Sequence, residues 1–111
     1  MIEKEIKIMN TLKQKKFSNI IKNYLNKLFL IENKKILITV LYVYINKIFS
    51  YSKIYTTIYP DIYKKKFNSI LNKKKIYYKN KLSIIFKNKF RIPDINFYLS
   101  NDKILEFINY Y

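Results

Sequence analysis

Three consecutive lysines, Lys73, Lys74 and Lys75, with Lys79 one helical turn further on, are the residues of this chain with the clearest chemistry to offer. Ammonium groups in a row hold a polyanion by point charge and counterion release, so any such binding is steeply salt-sensitive. Lys53 and Arg91 are further candidates for the same task, Arg91 reading equally as a charge at a helix C-terminus that favours the dipole. Arg91 is the only arginine among 23 basic residues, so bidentate guanidinium recognition of phosphate is almost absent. The chain has neither His nor Cys, which removes imidazole catalysis, disulfides and thiolate zinc sites. Seven carboxylates, Glu3, Glu5, Glu32, Asp61, Asp94, Asp102 and Glu106, lie far apart in sequence. Asp94 and Asp102 lack the partners a metal site needs. The expectation is a binding protein and not an enzyme, with no cofactor, no metal and no small-molecule substrate.

The formal net charge is +16. Ala and Gly are missing, while Ile, Lys, Asn, Tyr and Phe dominate. All five are encoded by A- and T-rich codons, the mark of an AT-rich genome such as that of a reduced symbiont or an organelle. Part of the charge therefore has a second reading, as solvated helix faces in a lysine-inflated proteome. Half of the residues are apolar, so the chain is not a disordered polycation. Its 111 residues suffice for one modest core and one domain, 1–111, with 1–10 as a frayed extra turn. The run Ile36 to Ile45 is about half of what a membrane-crossing helix needs. MIEKEIK lacks the apolar core of a signal peptide. The expectation is a monomer in the cytoplasm of a bacterium or reduced symbiont, with an organelle matrix or stroma as the other setting.

These side chains need elements to hold them. Phe17, Ile20, Ile21, Tyr24, Leu25, Leu28 and Phe29 recur at steps of three and four, which predicts a helix with one apolar stripe. Thr11 followed by Gln14 is a capping-box pattern that starts it at Leu12. IENKK, Ile31 to Lys35, breaks the period. From Ile36 the period becomes two, with Leu37, Thr39, Leu41, Val43 and Ile45 expected on one face and Tyr42 and Tyr44 on the other. After NKIFSY a second strand resumes, with Ile54, Thr56 and Ile58 opposite Lys53, Tyr55 and Thr57, and the two strands are expected to be antiparallel. Pro60 and Asp61 stop it and open a helical region. Phe67, Ile70 and Leu71 make one stripe and Tyr78, Leu82, Ile85 and Phe86 another. The lysine triplet between them predicts an exposed elbow. Pro93 ends the helices, Ile95, Phe97 and Leu99 alternate as a third strand, and SND with the tail Ile104 to Tyr111 follows. The outward tyrosines, Tyr42, Tyr44, Tyr55 and Tyr98, either stack unpaired bases or simply cover the open sheet face.

This order predicts a two-layer α+β domain, αββα(α)β, with a three-stranded sheet and helices packed on one face, the K-homology type II-like layout. The stretch Thr39 to Thr57 resembles ribosome-binding factor A, whose family pattern is TVTxVxVSxDLxxAxVYVS. Thr39, Val40, Val43, Ile45, Asn46, Phe49, Ser52, Ile54, Tyr55 and Thr57 stand at matching positions, with Ile48 in place of the aspartate. LNKKKIYYKNKL is similar to L-x-x-A-x-G-F-I-R-x-x-L through Leu71, Tyr77, Tyr78, Lys79 and Leu82. FRIPDINFYLSND is similar to LRxVPELxFxxDxS through Arg91, Pro93, Asp94, Ile95, Phe97 and Asp102, with a one-residue length difference near Lys89. The likeness spans Phe17 to Asn109. It departs at the family's Ala-x-Gly kink, where this chain has Lys74, Lys75 and Ile76.

The resemblance implies a small-subunit ribosome maturation factor: an RNA-binding protein that assists rRNA processing and late assembly on the small-subunit precursor without catalysis. It implies that Lys73, Lys74, Lys75 and Lys79 form a phosphate-binding edge, with Lys53 and Arg91 beside it. Two other readings stay open at this point, a constitutive ribosomal or generic K-homology RNA binder and a basic protein of the membrane surface.

Overall fold

A computed structural model describes residues 9, 11–87 and 91–100. Helix α1, Leu12–Glu32, starts where the capping box places it: Gln14 N–H donates to Thr11 Oγ1 (3.1 Å) and Thr11 N–H donates back to Gln14 Oε1 (3.0 Å). Strands β1, Leu37–Ile45, and β2, Tyr51–Tyr59, pair antiparallel. The Tyr59–Pro60 peptide is cis. A 3-10 turn, Asp61–Tyr63, leads into α2, Lys64–Lys73, then α3, Lys75–Ile85, and β3, Asp94–Leu99. β3 runs parallel to β2, and the sheet order is β1-β2-β3. The architecture is α+β in the expected αββααβ order, with helices packed against a three-stranded sheet. Apart from Met9, which is buried, the frayed turn expected over 1–10 lies outside the described residues, as do the turn and tail after Ser100 and the family positions near Lys89 and at Asp102.

The core follows the two periods. Ile21, Leu25 and Phe29 of α1 are buried against Val43, Ile45, Ile54 and Ile58 of the sheet, with Leu71, Tyr78, Leu82, Ile95 and Phe97 closing the other side. Ile20 is exposed and outside this stripe.

The first half of β1 corrects the sequence reading. The register slips between Val40 and Tyr42, leaving Leu41 as an extra residue. One extra residue shifts the alternation by one. Ile38 and Val40 therefore share the core face with Val43 and Ile45, whereas Leu37 is exposed and Thr39 half-buried on the other face.

The turn between β1 and β2 manages without glycine because Phe49 itself takes the left-handed conformation (φ 57°). That costs a non-glycine residue about 1–2 kcal/mol. Local bonds offset it: Asn46 Oδ1 accepts from the N–H groups of Ser50 (2.8 Å) and Tyr51 (3.1 Å), and Asn46 Nδ2 donates to Ser50 Oγ (2.6 Å). The Phe49 ring meets Phe17 edge-on at 5.4 Å, under the Lys13 ammonium at 5.2 Å.

Both outer edges of the sheet are met by polar side chains from helices. On β1, Asn26 accepts from Val40 N–H (2.7 Å) and donates to Val40 O (3.2 Å), Gln14 Nε2 donates to Ile45 O (2.7 Å), and Ser18 Oγ donates to Val43 O. On β3, Asn72 accepts from Phe97 N–H (2.8 Å) and donates to Phe97 O (3.0 Å). Gln14 and Ser18 are buried for this reason although neither is apolar. An edge strand whose donors and acceptors are already engaged does not template pairing with another chain.

Candidate functional site

The elbow between α2 and α3 falls on Lys74, which closes one helix and opens the next. Its φ of −101° and ψ of 13° lie in the bridge region, open to any residue, so no glycine is required. Helical bonding carries across the bend: Lys74 N–H donates to Ile70 O (3.1 Å), and Tyr78 N–H donates to Lys74 O (3.1 Å). Packing supplies the bend, since Leu71 and Tyr78 are both buried on either side of the exposed triplet. The Tyr78 ring lies edge-on to Phe29 (5.3 Å) and Phe97 (5.7 Å).

Glu32, the last residue of α1, holds the start of α3. Its carboxylate accepts from Tyr77 Oη (2.7 Å) and Tyr78 Oη (3.0 Å). A carboxylate at a helix C-terminus opposes the dipole, and the two phenols offset that. Burial first, and then donation to Glu32, pushes the Tyr78 phenol well above its ordinary range. It stays a neutral donor at physiological pH.

The six cations singled out by sequence gather around this elbow and the adjoining start of β3. Lys73, exposed, meets no partner among the described residues. Lys74 Nζ sits 5.0 Å from the Tyr77 ring centroid and 5.6 Å from that of Tyr78. Lys75 Nζ donates to Asn96 Oδ1 (3.2 Å). Asn96 is the register partner of Lys53, whose ammonium lies 5.6 Å from the Tyr98 ring centroid. Lys79 pairs with Asp94 at 2.6 Å. That hydrogen bond and charge hold the Asp94 carboxyl below its usual range, with smaller contributions from Arg91 and Lys75. Asp94 is thus a shared counter-charge for three of the six.

The tyrosine face is largely self-filled. Tyr55 lies between Tyr42 (6.2 Å) and Tyr98 (5.7 Å), and Tyr44 lies 6.1 Å from Tyr51. Tyr44 and Tyr55 are buried, so of the two readings for these rings, sheet cover fits and base stacking by all four does not. Burial, with the neighbouring Tyr44, raises the Tyr42 pKa.

Sequence reasoning missed Glu32 and a groove of about 630 Å³ at the opposite end of α2. Its lining includes Ile31, Ile36, Tyr63 and Phe67, with Lys34, Lys35 and Lys66 also bordering it. IENKK was legible only as a break in period, and nothing local ties it to Lys66. No helix among the described residues is long and apolar enough to cross a membrane. No group of three or more acidic residues among them is placed to hold a metal ion. No protein-family model matches the chain, and no curated protein matches it.

Proposed function

We propose that the chain is a non-catalytic RNA-binding factor of ribosome maturation that docks through its elbow and the start of β3 on the small-subunit precursor rRNA. The observation that carries this reading is the placing of Lys75, Lys79 and Arg91 around one counter-charge, Asp94, with Lys73 and Lys74 on the same elbow and Lys53 across the sheet from Asn96, the partner of Lys75. Packed helices hold the backbone that carries these cations, so no loop has to order before they meet a phosphate backbone, which lowers the entropic cost of binding. The resemblance to ribosome-binding factor A narrows the RNA to the small-subunit precursor. Such a factor acts by binding one rRNA arrangement better than another and so shifting their populations. No bond is made or broken.

Lys73→Gln, Lys74→Gln and Lys75→Gln combined, titrated with a small-subunit rRNA fragment across a salt series, tests the surface. Each lysine that neutralises a phosphate contributes about 0.7–0.9 to the slope of log affinity against log salt. The triple variant should lose about 2–3 from that slope. An unchanged slope removes the elbow from the interface. Fractionation of ribosomal particles tests the role: a maturation factor travels with precursors and is absent from translating ribosomes, whereas a constitutive ribosomal protein is found in both.

A further inference from the structure

The groove beyond the elbow has a chemistry of its own. One wall is the end of α1 and the segment that follows it, where Asn33 closes the helix in an extended conformation (φ −124°, ψ 102°) with its N–H on Phe29 O (2.9 Å). The other is Pro60, the 3-10 turn and the first turns of α2. Between them Ile36, Tyr63 and Phe67 supply apolar and aromatic surface, the two rings meeting edge to face at 6.2 Å. Lys34, Lys35 and Lys66 are exposed there and meet no partner among the described residues. Glu32, the one carboxylate in the lining, is engaged by two phenols.

We infer that this groove holds one unpaired nucleotide of the bound RNA, its base against Tyr63 and Phe67 and its flanking phosphates on Lys34, Lys35 and Lys66. The inference rests on the RNA-binding reading above and extends its footprint. Two links join groove to elbow. Glu32 belongs to the groove lining and also anchors Tyr77 and Tyr78, whose rings lie under Lys74. Lys66 and Lys73 are seven residues apart on α2 and so lie on one helix face, about 10 Å apart along its axis. A single strand leaving the elbow therefore follows α2 back to the groove. Stacking on aromatic rings flanked by cations is how strands are held without sequence preference. Ile31 in the lining and Leu30 and Ile62 nearby are exposed aliphatics that would equally suit an anionic bilayer. A bilayer meets protruding side chains, whereas these lysines and rings border a recess.

The test uses the full chain and three probes: a hexauridylate, inorganic phosphate, and vesicles containing phosphatidylglycerol. Lys34→Gln/Lys35→Gln/Lys66→Gln should lower the salt slope for hexauridylate by about 2. Tyr63→Leu should weaken binding about ten-fold with the slope unchanged, since stacking releases no counterion. Circular dichroism melts confirm that these exposed changes leave the fold intact. If both groove variants bind as the parent does while the elbow variant is impaired, the nucleotide slot is wrong and the elbow reading survives. If the parent chain binds neither hexauridylate nor an rRNA fragment, both fall. Phosphate competing fully with hexauridylate, with no effect of Tyr63→Leu, overturns the base contact. Vesicle binding that depends on the three lysines, without hexauridylate binding, assigns the groove to a membrane and overturns the proposal.

Discussion

Asn72 and Asn68 sit one turn apart on α2, yet their replacement should have opposite consequences. Asn72 holds both backbone groups of Phe97 at 2.8 and 3.0 Å, and Phe97 is buried. Asn72→Ala removes two hydrogen bonds, each contributing about 0.5–1.5 kcal/mol, and leaves a buried N–H without a partner. The better helix propensity of alanine returns about 0.5 kcal/mol. The net loss should be about 2.5 kcal/mol. With a urea dependence of about 1.5 kcal/mol per M, the unfolding midpoint falls by about 1.7 M. Asn68 Oδ1 is buried and meets no partner among the described residues. Asn68→Ala gives up an unsatisfied acceptor and gains propensity, so its midpoint should hold or rise. Urea titrations of the two variants, followed by circular dichroism, compare them directly. Equal losses, or a smaller loss for Asn72→Ala, would refute the idea that helix side chains seal the β3 edge.

Thr11→Ala should cost about 1 kcal/mol, a fall of roughly 4 °C in Tm, because it opens the capping box. Gln14→Leu should cost more, since Gln14 also serves Ile45 O; the two melts rank them. At alkaline pH the Tyr78 phenol keeps its proton in the folded chain after an unfolded tyrosine has lost it. The stabilisation tied to this group is whole below pH about 10 and is lost as pH climbs from there; Tyr78→Phe should flatten that alkaline decline in urea midpoints. Asp94→Asn releases Lys79 from its ion pair. If Lys79 then joins the phosphate contacts, rRNA-fragment affinity rises and the salt slope steepens by about 0.7–0.9 in anisotropy titrations.

Whatever depends on neighbours along the chain was legible from the residues. The capping box fixed the start of α1, alternation placed β2 and β3, and the gap that the lysine triplet makes in the apolar stripe located the elbow. Composition also bounded the groups on offer: with neither His nor Cys there is no imidazole or thiolate, and the formal charge is +16. Tertiary structure alone decided the rest. The bulge at Leu41 was invisible because β1 has large side chains in both phases, so either alternation looked equally apolar. The burial of Gln14, Ser18 and Asn72 was invisible because their partners are backbone groups of strands far along the chain. Glu32 meets Tyr77 and Tyr78 across 45 and 46 residues. A local pattern reports which face of an element is apolar; only packing decides what that face, and the polar groups along its margin, will meet.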